Sequence, residues 1–225
     1  MASHRTAARV HGLEVGSGGP EKVTIARGER RPHRTRLVFH TSRLGPEDVE
    51  VIGGIGVTTV ARTLVDLCRT VTDRTRAIWA VERALALGRV TRDEMEAVLV
   101  RLARAPGIRR AAAWVRLVEP ASGSPLETAS RLALLDAGLP PPELQVRVVR
   151  ADGRVAYLDL AYRQARVGLE MDGRSEHGME LAVFDDRDRE NQVVAREWTV
   201  YRFSWNDVHQ RRASYVATVR NAIGR

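Results

Sequence analysis

The sequence lacks several features that would mark common classes of protein. It has one cysteine, Cys68, so no internal disulfide can form, and this fits a reducing cytoplasm. No stretch approaches the roughly 18 uninterrupted apolar residues that a membrane helix needs. The N-terminal MASHRTAARVHG also lacks the apolar centre of a signal peptide. We therefore expect a cytoplasmic protein that has no membrane partner.

Lysine is almost absent as well, because Lys22 is the only one among 36 basic residues. The net charge of +8 is compatible with nucleic-acid binding, but such arginine richness, with abundant Ala, Val and Gly, also follows from a GC-rich genome. The position of the charge is more informative. Residues 1–120 carry 21 basic and 13 acidic side chains, whereas residues 121–225 carry 15 of each. Candidate DNA-backbone contacts in the first half are the arginines of RGERRPHR, namely Arg27, Arg30, Arg31 and Arg34. A solvated loop is the ordinary alternative.

The segment EPASGSP, Glu119 to Pro125, contains two prolines and lies where the charge balance changes. It predicts a linker at 119–125 between a domain at 1–118 and a domain at 126–225. In the first, a short helix and the strand candidates KVTIA and RLVFH precede a GG turn at Gly53 and Gly54. Four helices then follow up to Val118. We expect a small mixed domain of sheet and helices.

The second half predicts an α/β (α+β) fold in the order helix, three strands, helix, strand, helix. Ser124 as N-cap opens the helix PLETASRLALLD, and the strands LQVRVV, RVAYLDLAY and RVGLEMD are consecutive and antiparallel. The run MELAVFDDRDRENQVVARE has helical period and precedes the strand WTVYRFSW. A closing helix capped by Asn206 ends the order.

The stretch LEMDGRSEH places two carboxylates two residues apart at the end of an apolar strand. Glu170 and Asp172 would share one face of that strand, and a hairpin would bring Asp159 opposite or diagonal to Glu170. Like charges this close repel unless a cation lies between them. Carboxylate oxygens are hard ligands that suit Mg²⁺ (or Mn²⁺). His177 could then act on a metal-bound water as general base or contact a phosphate.

Each of these residues also has a reading without catalysis. Glu127 completes an S-x-x-E capping box, so capping and metal support are equally good explanations. Asp159 could be a solvent-facing edge acid, and Glu170 with Asp172 could belong to a solvated face. His177 could be a surface histidine. Arg187, in DDRDREN, could form an exposed helical contact or stabilise a phosphate.

The motifs SPLE, LDLAY, LEMDGRSEH, DRDREN and WTVYRFSW resemble the PD-(D/E)XK nuclease superfamily. They are most similar to its domains related to very-short-patch-repair endonucleases. The resemblance covers residues 122–225 and implies a restriction-endonuclease-like αβββαβα core. It implies that Asp159 is the first motif acid, Glu170 and Asp172 the second motif, Glu127 the acid of the preceding helix, and His177 the histidine after the glycine. Further matched positions are Arg187, Asn191, Trp198 and Arg202. Asp172 stands where the superfamily usually has lysine, and the repair-endonuclease branch also lacks that lysine.

Residues 1–118 resemble a different family. SHRTAARVHGL, KVTIARGERR, LVFHTS and IGVTTVARTLVDLCR are similar to the middle region of AbiEi-type antitoxins, which repress transcription in abortive-infection systems. The winged helix-turn-helix with which those proteins usually begin lies outside the resemblance. This similarity implies DNA, a cognate toxin or a regulatory protein as partner.

These observations predict a Mg²⁺-dependent DNA endonuclease, with Asp159, Glu170 and Asp172 at the metal, and Glu127 and His177 beside them. A double-strand cut would commonly need a homodimer. The first alternative is a non-catalytic DNA-binding regulator or antitoxin that keeps the nuclease fold as scaffold. The second is an interaction module whose arginine content is compositional, and it predicts no DNA binding even at low salt.

Overall fold

A computed structural model describes residues 1–13, 15, 20–25, 37–149, 154–173 and 198–224. The chain has a mixed α+β fold and divides into two compact units, Met1–Pro120 and Ala121–Arg225. This division falls inside the segment predicted as a linker. Within the described ranges, no helix combines the length and apolar character needed to cross a membrane.

The first unit contains two small pairs of strands and five helices among its described residues. The elements are α1 (His4–Val10), β1 (Glu21–Ile25), β2 (Leu37–Thr41), a 3-10 turn (Pro46–Asp48), β3 (Val49–Ile52), β4 (Ile55–Thr58), α2 (Val60–Thr70), α3 (Arg74–Ala86), α4 (Arg92–Arg101) and α5 (Ile108–Val115). Strands β1 and β2 pair in parallel, whereas β3 and β4 form an antiparallel hairpin. The sequence predicted a turn at Gly53 and Gly54 but not the two four-residue strands that this turn joins.

Arg62, on α2, is a fully buried charged residue of the first unit, and its side chain is 0% exposed. Its Nε donates to Asp66 Oδ2 at 2.9 Å, and its Nη1 donates to Asp48 Oδ2 at 2.9 Å. Asp66 also accepts from Arg69 at 2.6 Å, and Asp48 accepts from Arg101 at 2.9 Å. A buried guanidinium is tolerated only with such complete pairing, so this network ties α2 to α4 and to the 3-10 turn.

The second unit is built on a four-stranded sheet. Its described elements are α6 (Pro125–Asp136), β5 (Glu143–Val149), β6 (Val155–Tyr162), β7 (Val167–Asp172), β8 (Thr199–Ser204), α7 (Trp205–His209) and α8 (Arg212–Ile223). The strand order is β5-β6-β7-β8, with antiparallel β5–β6 and β6–β7 pairs and a parallel β7–β8 pair. The three consecutive antiparallel strands predicted from the sequence are therefore present.

The C-terminal region departs from the single closing helix that the sequence predicted. Ser204, rather than Asn206, is the N-cap, since its side chain accepts from the Asp207 amide while Asp207 bonds back to Ser204. This capping box opens α7, a helix of one turn, and α8 begins separately at Arg212. The prediction was wrong because Ser204 lies in the strand pattern, where its capping role is not visible.

Strands β5 and β6 are irregular at one position. Leu158 and Leu160 would face the same side of a regular strand. Leu160 instead packs in the cluster formed with α6 and α8, whereas Leu158 packs with Val146, Val148 and Ala161. The backbone pairs on either side of the change are Leu144 with Leu160 and Val146 with Leu158. The alternation of side chains between the two faces of the sheet is therefore interrupted at Asp159 and at the residue opposite it on β5.

Candidate active site

Glu127 comes from the first turn of α6. Ser124 caps this helix by accepting from the Glu127 amide at 3.2 Å, which is one half of the predicted capping box; the Glu127 carboxylate bonds the Gly123 amide rather than the Ser124 amide that the box requires. The Glu127 carboxylate, 6% exposed as a residue, accepts from the Gly123 amide at 2.7 Å and from Gln145 Nε2 at 3.0 Å. A Cβ on Gly123 would lie 3.1 Å from Glu127 Oε1, so a glycine there allows the close approach. Glu127 thus supports its own helix start and also reaches strand β5.

Asp159 lies on β6 where that strand parts from β7. The last backbone pair of these strands is Leu160 with Leu169, and the same register carried one residue further sets Asp159 across from Glu170. Asp159 Oδ2 accepts the backbone N–H of Met171 at 2.8 Å. The Asp159 side chain therefore accepts a hydrogen bond that a backbone carbonyl would accept in a regular sheet. This bond fixes the half-buried carboxylate between the two strands.

Glu170 lies on β7 and is paired with Arg202 of the neighbouring strand. The two residues are in register between parallel β7 and β8, and Arg202 Nε donates to Glu170 Oε2 at 2.8 Å. The side chain of Glu170 is 25% exposed and that of Arg202 is 52% exposed, so solvent weakens this ion pair. Asp172, two residues along β7, is exposed and lies in register with Ser204.

The three better-buried acids influence one another. Burial raises the pKa of Glu127, and the nearby Asp159 raises it further. Burial likewise raises the pKa of Asp159, and Glu170 adds to the effect, against the opposing hydrogen bonds from Met171 and Gln145. Glu127, Asp159 and Glu170 thus form a chain of mutually repelling carboxylates, which a cation would relieve.

Gln145 is the member of the site that sequence analysis missed. Its side chain donates to Glu127 and acts to lower the pKa of Asp159, which lies opposite it in the β5–β6 register, and its backbone φ is +49°. In LQVRVV it appears as an ordinary polar residue of an alternating strand. No sequence signal distinguishes it from Arg147, because its importance arises only from what lies across the sheet.

The remaining predicted residues lie outside the described part of the chain. They are His177, Arg187 and Asn191 of the second unit, and Arg27, Arg30, Arg31 and Arg34 of the first. Of the predicted site residues that the structure describes, Glu127, Asp159 and Glu170 lie near one another. Asp172 lies at the end of the same strand as Glu170.

The donor chemistry of the cluster fits Mg²⁺ or Mn²⁺. Carboxylate oxygens are hard ligands, and Asp159 and Glu170 lie level on adjacent strands. Within the described ranges, no three Asp, Glu, His or Cys side chains are grouped as a metal cage. Mg²⁺ does not require one, because it commonly keeps several waters and takes only one or two protein carboxylates.

Glu127→Gln is expected to stabilise the second unit at neutral pH by about 1 kcal/mol. Because the pKa of Glu127 is raised from 4.5, its folded state favours the protonated form. Its contribution to stability is thus fully present below pH 4.5 and is lost as pH rises through the folded-state pKa. Glutamine mimics the protonated acid, so the stability of the variant should depend less on pH than that of the wild type. Asp159, whose shift has the same sign, should supply the part that remains.

The measurement is a urea titration at pH values between 4 and 8, followed at the backbone NMR signals of Leu134 and Leu169. Glu143→Gln is the matched control, because Glu143 is exposed and paired with Arg163 at the surface. A Glu127→Gln variant that is less stable than wild type at neutral pH would show that the carboxylate is needed for the fold.

Two relatives are similar to this protein over most of its length. They are the uncharacterised proteins Rv2248 and MT2308 from two strains of Mycobacterium tuberculosis, each 26% identical over 198 residues, or 88% of this chain and 72% of the relative. A match of this length exceeds either unit, so the similarity extends across both. No protein-family model and no solved structure matches the chain.

Proposed function

We propose that the second unit is a Mg²⁺-dependent endonuclease that hydrolyses DNA phosphodiesters on a restriction-endonuclease-like core. The observation that carries this proposal is the meeting of Asp159, Glu170 and Glu127 at the point where β6 and β7 separate. The sheet order supports it as well. A helix, three antiparallel strands and a fourth strand later in the chain are what the resemblance predicts for this region, and the described elements follow that order.

Asp159 and Glu170 are the residues that would hold the metal, with Asp172 as a further oxygen ligand. A bound Mg²⁺ would polarise the phosphodiester and lower the pKa of a water nucleophile. The Met171 amide holds Asp159 in place for this role. Because burial makes the Asp159 charge costly, a bound cation would stabilise it. We propose His177, which lies outside the described residues, as general base or phosphate ligand.

The Arg202 guanidinium has a supporting role in this proposal. It lies in register with Glu170 and is half exposed, so it can orient that carboxylate while facing a DNA phosphate. The basic first unit, including its RGERRPHR arginines, would hold the DNA backbone without reading sequence.

The test is cleavage of supercoiled plasmid and of mismatched duplex with Mg²⁺, with Mn²⁺ and with EDTA. We expect metal-dependent nicking that Glu170→Gln lowers by about tenfold or more. Glu143→Gln, which changes an exposed acid at the start of β5, should leave the rate unchanged. DNA retention scored in the same samples separates loss of cleavage from loss of binding. Wild-type protein that retains DNA but does not nick it with either metal would contradict the proposal.

A second candidate function is a DNA-binding regulator or antitoxin that uses the nuclease fold as scaffold. The observation that favours it is the Arg202–Glu170 ion pair, because an arginine at 2.8 Å already neutralises Glu170 without a metal. This candidate predicts DNA retention that falls with added salt, no binding of Mg²⁺ or Mn²⁺ at the acids, and unchanged retention in Glu170→Gln.

A further inference from the structure

Gln145 occupies a backbone conformation that is unusual for its residue type. Its φ of +49° lies in the left-handed region, within the span of β5, although it is not glycine. Such a conformation costs a residue with a side chain on the order of 1–2 kcal/mol. Glycine would take it without strain, so the contacts of the Gln145 side chain are a candidate for what offsets this cost.

The Gln145 side chain spans two acids that come from different elements. Nε2 donates to Glu127 Oε2 at 3.0 Å. The β5–β6 register places Gln145 opposite Asp159, and its amide acts to lower the pKa of that carboxyl against the effect of burial. A primary amide carries two N–H donors, which matches this task. Helix α6 and strand β6 are thereby joined through one half-buried side chain.

The chemical nature of this link is informative. An arginine or lysine at the same place would bind both carboxylates more strongly, but it would also cancel the negative charge that attracts a cation. An amide orients the two acids and adds no charge. Gln145 therefore combines a strained backbone with two neutral N–H donors. Neutral donors suit a residue that orients carboxylates for a cation, because they leave the negative charge of the carboxylates intact.

We propose that Gln145 is a positioning residue, which holds Glu127 and Asp159 in place so that Asp159 can bind a divalent metal. This inference rests on the proposed metal-dependent function, and it assigns a role to a residue outside the acid motifs. Gln145 contacts neither the metal nor the DNA in this role. It acts through the two carboxylates.

The test compares Mn²⁺ affinity and stability in Gln145→Gly, Gln145→Asn and the wild type. Gln145→Gly removes the amide and relieves the backbone strain, so Mn²⁺ affinity should fall about 10- to 100-fold while the unfolding midpoint in urea is not lowered. Asparagine tolerates the left-handed region and keeps an amide that is one methylene shorter, so its affinity should lie between the two. Free Mn²⁺ is measured by electron paramagnetic resonance on the full-length protein.

The control is Arg166→Gly, which changes a second left-handed non-glycine residue among those described in this unit, at φ +53° in the β6–β7 turn. It relieves strain away from the acids and should leave Mn²⁺ affinity unchanged. Gln145→Gly binding Mn²⁺ as tightly as wild type would overturn the positioning role, as would an equal loss in Arg166→Gly. Wild-type protein that binds no Mn²⁺ would instead overturn the proposed metal-dependent function, and the positioning role with it.

Discussion

Asp159→Asn is expected to lower metal-dependent DNA cleavage roughly a hundredfold or more, the scale on which loss of a positioned catalytic group acts. The asparagine oxygen can still accept the Met171 amide, so the local geometry is kept. The charge that would bind a metal is lost. Because burial and Glu170 raise the pKa of Asp159 above its ordinary value, ionising this group costs more free energy in the folded unit than in the unfolded chain. Removing this charge should leave the second unit equally stable or slightly more stable.

Activity and stability are therefore expected to change in opposite directions, which separates a functional acid from a structural one. The measurements are the nicking rate with Mg²⁺ and a urea titration followed at the amides of Leu134 and Leu169. Asp136→Asn is the matched control, since Asp136 lies at the end of α6 and pairs with Arg212 at the surface. Unchanged cleavage in Asp159→Asn, or equal losses in both variants, would remove Asp159 from the site.

Arg62→Met is expected to destabilise the first unit by about 3–5 kcal/mol. Methionine fills a similar length of space, but it removes the donors to Asp48, Asp66 and Ser42. Each aspartate keeps one other arginine, Arg101 or Arg69, yet both stay almost fully buried with a partner missing. Arg62→Lys should recover only part of the loss, because an ammonium cannot reproduce the forked set of bonds.

Hydrogen exchange at the amides of Leu64 and Leu67, both buried on α2, reports the change in the first unit directly. Arg76→Met serves as control. Its ion pair with Asp73 spans 3.7 Å and both side chains are more than half exposed, so it should contribute less than about 1 kcal/mol. A change in Arg62→Met no larger than in Arg76→Met would mean that the buried network contributes little to stability.

The sequence predicted those parts of the fold that depend on local chemistry. The T-x-x-E box at Thr91 opens α4, and the Ser124 cap opens α6. Strands β5 to β7 were visible as apolar runs separated by the turn ADGR and by a short polar link. The short β3–β4 hairpin was missed because four residues give too little periodicity to recognise.

The parallel pairing of β1 with β2 also could not be derived from either strand alone. Parallel strands need a crossover, and the sequence of a strand does not specify the direction of its partner. The same limit applies to Arg62. An arginine in an apolar helix pattern is ordinarily expected at the surface, and only the convergence of Asp48 and Asp66 from separate elements makes its burial tolerable.

For the candidate site, the sequence by itself determined which acids exist and which strands carry them, because spacing along a strand fixes the face of each residue. Tertiary structure decided the rest. It places Glu127, at the start of a helix, near Asp159, and it pairs Glu170 with an arginine of the neighbouring strand. It also places Gln145 between two carboxylates. These relations depend on strand register and on an irregularity in the β5–β6 pair. Both result from packing between segments distant in the chain, which local propensity does not encode.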